Sequence, residues 1–228
     1  MERAKGAMNP ETRFLNLDEA FVRAAEMGLP VAEHRPASTA DEAVKAAASI
    51  GYPVVLKVLS PLAVHKSEMG GVKLSLGDDE EVRRAFREIS LSSGEHLGPG
   101  DFLGVTVSPM LSPGLEAIVG LTRDEELGSA VMFGLGGVSV ELYKDVSFRL
   151  PPLSLQEAHR MIEEIRGYPL LTGYRGRTAC DLEALVDCLI IISQIPGEEP
   201  DVAELELNPL ILYPNGCRAA DVRIAVID

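Results

Sequence analysis

Residues 50–74 read IGYPVVLKVLSPLAVHKSEMGGVKL, an apolar strand pattern broken by one charge and followed by a glycine-closed loop. Gly51 and Pro53 end whatever helix precedes them, because glycine accepts a left-handed cap and proline cannot continue a helix. Val54-Val55-Leu56-Lys57-Val58 is then a β-branched run of the kind that is covered on both faces. Lys57 is the exception in it. Fully burying an ammonium is costly unless it is paired or meets an anion, and the plainer alternative is an edge lysine whose stem snorkels to water. In the loop SPLAVHKSEMGG (60–71), Gly70 and Gly71 allow backbone N–H groups to approach phosphate oxygens, since no Cβ intervenes. His65 offers an imidazole that is nucleophilic when neutral and able to accept an acyl or phosphoryl group, with Lys66 beside it. A surface loop with an incidental histidine is the competing reading; His34, His96 and His159 lack even this company.

Towards the N-terminus the chain alternates helix and strand signals. Leu17, Phe21, Ala24 and Ala25 share a helical face, with Asn16 and Glu19 spaced as a capping box, and Gly28 and Pro30 close the helix. A short strand is expected at 31–34. Thr39-Ala40-Asp41-Glu42 opens a second helix that buries Ala43, Val44, Ala47 and Ile50. Beyond the central stretch come a strand at 72–76, a helix at 79–89 and a polar, glycine-rich surface loop at 90–100.

From Phe102 the pattern turns β-rich, with strands expected at 102–108, 115–121, 129–133, 138–142 and 146–149. Ser154-Leu155-Gln156-Glu157 caps a helix to about Arg166, and Asp181 opens another that Pro196-Gly197 stops. The chain ends in strands near 202–207, 210–213 and 217–221, the last two joined by a Pro214-Asn215-Gly216 turn. These elements make an α+β fold with mixed sheets. It divides into a smaller N-terminal lobe (17–105) and a larger C-terminal lobe (106–228).

Two further clusters bear on chemistry. Gly134-Leu135-Gly136-Gly137 lacks the spacing of a dinucleotide fingerprint and leads into strand rather than helix, so its glycines let the backbone pass close to a ligand or another strand. Glu204-Leu205-Glu206-Leu207-Asn208 alternates, placing two carboxylates and an amide oxygen on one face. Those are hard oxygen donors suited to Mg²⁺, although an amphipathic strand with its acids in water has the same pattern. Asp221, expected in the next strand, is a further oxygen donor across the hairpin.

Composition narrows the function. Over 228 residues, 35 acidic against 21 basic residues give a net charge of -14. That argues against a nucleic-acid binder and against docking on an anionic membrane. A phosphorylated small molecule remains open if positive charge is concentrated locally or a metal ion assists. Three cysteines without CxxC spacing define neither a zinc site nor a disulfide framework, and with no signal-peptide core or membrane span the expected compartment is the cytoplasm.

The central stretch, GLEAIVGLTRDEELGSAVMFGLGGVSVELYKDVSFRL (114–150), LLTGYRGRTACD (170–181) and ELELNPLILYPNGCRAADVRI (204–224) together resemble the ATP-grasp β subunit of ADP-forming acyl-CoA synthetases. More distantly they resemble the succinyl-CoA synthetase β subunit. The resemblance implies an ATP-grasp fold whose two α+β lobes grip ATP. In it Lys57 contacts the phosphates, Gly70 and Gly71 close over them, and residues 107–110, with Ser108 and Met110, lie along adenine. Glu116 contacts the nucleotide, Asn208 and Asp221 with Glu206 hold Mg²⁺, and His65 relays a phosphoryl group. It further implies ATP/ADP as ligand and a separate CoA-binding α subunit, as α2β2, for which 228 residues leave no room here. Two positions depart from the family pattern, Ser108 where Gln or Glu is usual and Glu206 where Asp is usual. Arg175 and Arg177 receive no role. The alternatives are a stand-alone ATP-grasp carboxylate–amine ligase acting through an acyl phosphate, and a non-catalytic nucleotide-binding module.

Overall fold

The computed structural model describes residues 12–63, 66, 69–124, 128–137 and 144–227. His65 and the expected strand 138–142 lie outside the described residues. The chain divides into two compact units, one spanning Asn16–Pro113 and the other beginning at Gly114 and taking in the strand at 12–14. The division falls after residue 105 because the strand 104–109 pairs wholly within the first unit.

In the first unit, α1 (Leu17–Glu26) starts on the expected box: Asn16 Oδ1 accepts from Glu19 N at 3.1 Å, and Glu19 Oε2 accepts from Asn16 N at 2.9 Å. Its buried stripe is Leu17, Ala20, Phe21 and Ala24. Ala25 is exposed instead, since one residue is a 100° rotation on a helix. The short strand expected at 31–34 lies later, as β2 (Arg35–Ala37). β2 is an edge strand, where the missing N–H of Pro36 is tolerated. α2 (Ala40–Ile50) is capped by Thr39 Oγ1, and the Glu42 carboxylate reaches Ser38 N and Oγ.

β3 (Val54–Leu59), β4 (Val72–Leu76) and β5 (Gly104–Pro109) complete a four-stranded sheet in the order β2-β5-β3-β4. One face, carrying Val54, Leu56, Val58, Val105 and Val107, packs with α2 and with Val82, Phe86 and Ile89 of α3 (Asp79–His96). α3 therefore overruns the loop expected from residue 90. Ser93 continues the buried stripe of Val82, Phe86 and Ile89, and the Ser92 hydroxyl donates to the Met69 carbonyl. Tertiary contacts outweigh the low helix propensity of a serine-glycine run.

The second unit is a larger sheet, β1 (Thr12–Phe14), β11 (Val222–Ile227), β9 (Val202–Leu212), β6 (Leu115–Asp124), β7 (Gly128–Leu135) and β8 (Val146–Arg149) in that order, with β10 (Cys217–Ala219) paired to β9. Every strand pair in the described residues is antiparallel, which corrects the expected mixed sheets. Val119, Leu121, Val131, Phe133, Leu205 and Leu207 share one buried face by register. Helices α4 (Leu155–Glu164), the short α5 (Tyr168–Leu171, unforeseen) and α6 (Leu182–Glu198) belong to this unit. The Ser147 hydroxyl of β8 donates to Met161 O of α4 at 2.8 Å. α6 carries on two residues past Pro196, because proline already has a helical φ and in the last turn forfeits one hydrogen bond.

β9 is one continuous strand, not the two expected. Leu207 pairs with Val119 and Leu210 with Ala117, so Asn208 and Pro209 together oppose Ile118. This two-against-one step is a β-bulge, and it accommodates a proline inside a central strand. The last expected strand is split, with Asp221 in the turn between β10 and β11 rather than in a strand.

Candidate functional site

Lys57 is central in the first unit's sheet rather than at its edge, paired with Thr106 of β5 and Val72 of β4, and its residue is only 8% exposed. Its neighbours along β3 point into the helix-covered core, so Lys57 lies on the opposite face with Val55. On β5 that face carries Thr106 (0% exposed) and Ser108 (4%), whose hydroxyl oxygens are both shielded from water without a hydrogen-bond partner among the described residues. A cation and two orphaned hydroxyls thus form a polar strip on this face of the sheet. Thr106 was missed in the sequence, although the alternation in GVTVSP places it on the same face as Ser108.

The glycine turn abuts this strip. Gly71 O accepts from Val58 N at 2.7 Å, and Gly71 N donates to Lys66 O at 2.8 Å. A Cβ on Gly71 would lie 2.6 Å from Val58 Cγ1 and 2.9 Å from Lys66 O. Gly70 adopts φ +67°, a left-handed conformation that favours glycine. At the other end of the strip, Met110 N donates to Pro53 O at 2.9 Å, which ties the chain after Ser108 to the entry of β3.

In the second unit Glu116 is exposed on β6 against the glycine run. Gly136 N donates to Glu116 O at 2.7 Å, and a Cβ on Gly136 would lie 3.0 Å from Glu116 Cβ. Gly134 instead lets β7 pass close to β8, where a Cβ would lie 2.7 Å from Val146 Cγ1. Asp145, just before β8, is a structural anchor. Its two oxygens accept from Arg166 N at 2.8 Å and Gly167 N at 2.7 Å.

The bulge in β9 sets the oxygen donors. Asn208 is exposed, and its Nδ2 donates to Glu206 Oε1 at 3.0 Å. Asn208 N donates to the Asp221 carbonyl at 3.2 Å, joining the bulge to the β10–β11 turn. Arg223, directly opposite Glu206, was not foreseen. It sits 3.8 Å from Glu204 and places its guanidinium 4.2 Å from the Phe14 ring centroid. A groove of about 160 Å³ between Met132, Phe148, Glu206 and Arg223 opens on this face.

Among the described residues no group of three or more His, Cys, Asp or Glu has metal-binding geometry. The donor set here is two acids and an amide. With the amide nitrogen of Asn208 engaged by Glu206, its Oδ1 is left to face a cation, and Asp221 is drawn beside it by the backbone bond. These hard oxygens fit Mg²⁺, with Glu206 orienting the amide. Arg175 (φ +54°) and Arg177 are exposed, and no side-chain contact among the described residues explains Arg177. The three cysteines are free; burial pushes the Cys217 thiol up to about 11 and that of Cys188 well above its usual range.

The ATP-grasp domain family matches residues 6–226, so the fold is an ATP-grasp fold. Acetate--CoA ligase [ADP-forming] I subunit beta of Pyrococcus furiosus is 44% identical over 197 residues, 86% of this chain and 85% of the relative. Acetate--CoA ligase [ADP-forming] I of Archaeoglobus fulgidus is 43% identical over 199 residues, 87% of this chain but 29% of the relative. The Ca. Korarchaeum cryptofilum dinucleotide forming acetyl-coenzyme A synthetase 1, in complex with coenzyme A, Ca-AMPCP and HgCl+, superposes with a TM-score of 0.90 at 46% identity, over 95% of this chain and 94% of that chain. Other structures of that synthetase hold a phosphorylated phosphohistidine segment, or one pointing towards the nucleotide binding site. The chain belongs to the β-subunit family of the ADP-forming acyl-CoA synthetases.

Proposed function

We propose that this chain is the nucleotide-binding β subunit of an ADP-forming acyl-CoA synthetase, contributing to acyl-CoA + ADP + phosphate ⇌ acid + ATP + CoA. The observation that carries the reading is Lys57, a lysine buried in a central strand beside a glycine turn, in a chain of this family. Phosphoryl transfer needs alignment and charge neutralisation more than covalent work. Lys57 supplies a cation for phosphate oxygens, Gly70 and Gly71 let the backbone of the turn close over them while Lys66 O holds Gly71 N, and Ser108, Met110 and Glu116 hold the rest of the nucleotide. Asn208 and Asp221, with Glu206 orienting the amide, would hold Mg²⁺, which when bound neutralises phosphate charge.

His65 is the group assigned to the transfer. In the ATP-forming direction the nitrogen–phosphorus bond of phosphorylated His65 breaks as a terminal oxygen of ADP bonds to phosphorus, and the imidazole keeps the electron pair. The acyl and CoA chemistry belongs to a partner, a CoA-binding α subunit in an α2β2 assembly. Support comes from the Archaeoglobus relative, in which the matched region is a minor part of one longer chain. No helix in the described residues is long and apolar enough to cross a membrane, and three free cysteines favour a reducing, cytoplasmic setting.

The test is phosphorylation of this chain, with its α partner, by γ-labelled ATP and Mg²⁺. Acid-labile, base-stable label is expected on the wild type and absent from His65→Asn. Full turnover by the His65→Asn complex would refute the relay.

A further inference from the structure

We propose that the Thr106 hydroxyl is a direct hydrogen-bonding contact for the nucleoside part of the bound nucleotide. The inference rests on the nucleotide-binding reading above and adds a residue to it. Thr106 is wholly buried, and its Oγ1 is shielded from water with no hydrogen-bond partner among the described residues. An unsatisfied buried hydroxyl works against the folded state. The position does not demand one: β5 is a central strand, and its neighbours Val105 and Val107 show that valine suits its backbone. The hydroxyl is therefore of no service to the fold alone.

Its surroundings point to a ligand. Ser108, two residues on and on the same face, has the same orphaned oxygen, about 7 Å away by strand geometry. Lys57 stands directly opposite Thr106. The two hydroxyls lie close to the backbone, whereas the ammonium sits at the end of a flexible four-carbon stem. A molecule laid along the strip would thus meet the hydroxyls with its flat body and the ammonium with its anionic end. A nucleoside base and sugar carrying phosphates is that kind of molecule, and both kinds of hydrogen-bonding atom on its body can use a hydroxyl, which donates and accepts.

Calorimetric titration of MgADP into the wild type, Thr106→Val and Thr106→Ser tests this. Thr106→Val should melt at the same or a higher temperature without nucleotide, yet bind ADP about tenfold more weakly, the scale of one lost hydrogen bond. Thr106→Ser, which keeps the hydroxyl, should bind like the wild type. A residue of purely structural importance would not unite unimpaired melting with weakened binding. ADP affinity of Thr106→Val equal to the wild type overturns the inference. If that variant does not fold, Thr106→Ser and Thr106→Ala differ by the hydroxyl alone, and equal affinities overturn it as well. A wild-type chain that binds no ADP removes the nucleotide reading itself, an outcome distinct from wild-type binding that the valine leaves untouched.

Discussion

Replacing Gly71 by alanine probes how the glycine turn is joined to the strand that carries Lys57. The added Cβ would lie 2.6 Å from Val58 Cγ1 and 2.9 Å from the Lys66 carbonyl oxygen, separations that real Cβ atoms do not keep. Val58 is fully packed in the core, and Lys66 O is backbone, so neither neighbour can swing aside. The turn must lift, and the 2.7 Å bond from Val58 N to Gly71 O breaks with it. Overpacking costs about 1–3 kcal/mol and the bond about 0.5–1.5 kcal/mol, giving roughly 2–4 kcal/mol together. For a chain of this size that lowers the melting temperature by roughly 5–15 °C. Gly70→Ala is the control. Among the described residues its Cβ would meet only Ser92, with Oγ at 3.1 Å, and the penalty of its positive φ is about 1–2 kcal/mol. Thermal unfolding by circular dichroism, with ADP titration alongside, should rank Gly71→Ala below Gly70→Ala in both stability and affinity. A Gly71→Ala protein that melts with the wild type would refute the reasoning, because the turn would then be free to move without loss.

Three more outcomes follow from other residues. Lys57→Met should weaken ADP binding by about 10- to 100-fold, the range for a charge-assisted contact, and calorimetry showing unchanged affinity would remove Lys57 from the site. Asp145→Ala strips the acceptors from Arg166 N and Gly167 N and should cost about 2–4 kcal/mol in urea unfolding; a shift near zero would mean water replaces the carboxylate. Tyr52 donates to Asp79 Oδ1 at 2.6 Å, and burial first, then that bond, pushes its pKa from 10.0 up to about 12. A pKa raised by folding gives stability that is full below the unfolded value and is lost as pH climbs from about 10 to about 12. Wild type should therefore lose stability relative to Tyr52→Phe over that window, and parallel profiles would discount the raised pKa.

Local chemistry was the readable part of this chain. Asn16 and Glu19, Ser154 and Glu157, and Asp181 announce helix starts because a cap is satisfied within four residues of itself. What escaped depends on partners distant in sequence. Ser92 and Ser93 look like loop until Met69 and the core of the first unit are placed against them. Asn208-Pro209 looks like a strand end until Ile118 is seen to sit opposite both residues. Thr106 is an unremarkable strand threonine until register sets it across from Lys57. Lys57 itself was legible as an anomaly, because a charge inside an apolar run conflicts with its own neighbourhood. Deciding between an edge and a central strand required β4 and β5 on either side of it.

The acidity of the chain and a phosphate-bearing ligand are reconciled in how the second unit disposes of its acids. Glu204 lies 3.8 Å from the Arg223 guanidinium, and Glu206 accepts the Asn208 amide, so each carboxylate on that strand face has a partner within the fold. Pairing of this kind, an ion pair for Glu204 and a neutral hydrogen bond for Glu206, is local and costs the sheet nothing in packing, since the alternate residues Leu205 and Leu207 fill the core. The bulge then turns Asn208 out as the residue of β9 whose uncharged oxygen is available, with Asp221 held beside it. In the proposed metal site one amide and one carboxylate would bring little negative charge to a divalent cation and would leave most of its charge for phosphate oxygens. At physiological ionic strength the remaining surface acids are screened beyond about 8 Å, so a net charge of -14 acts weakly at a distance. On the proposed reading, affinity for a nucleotide is decided by a handful of placed groups, Lys57 and the donors around it, rather than by the sign of the whole surface.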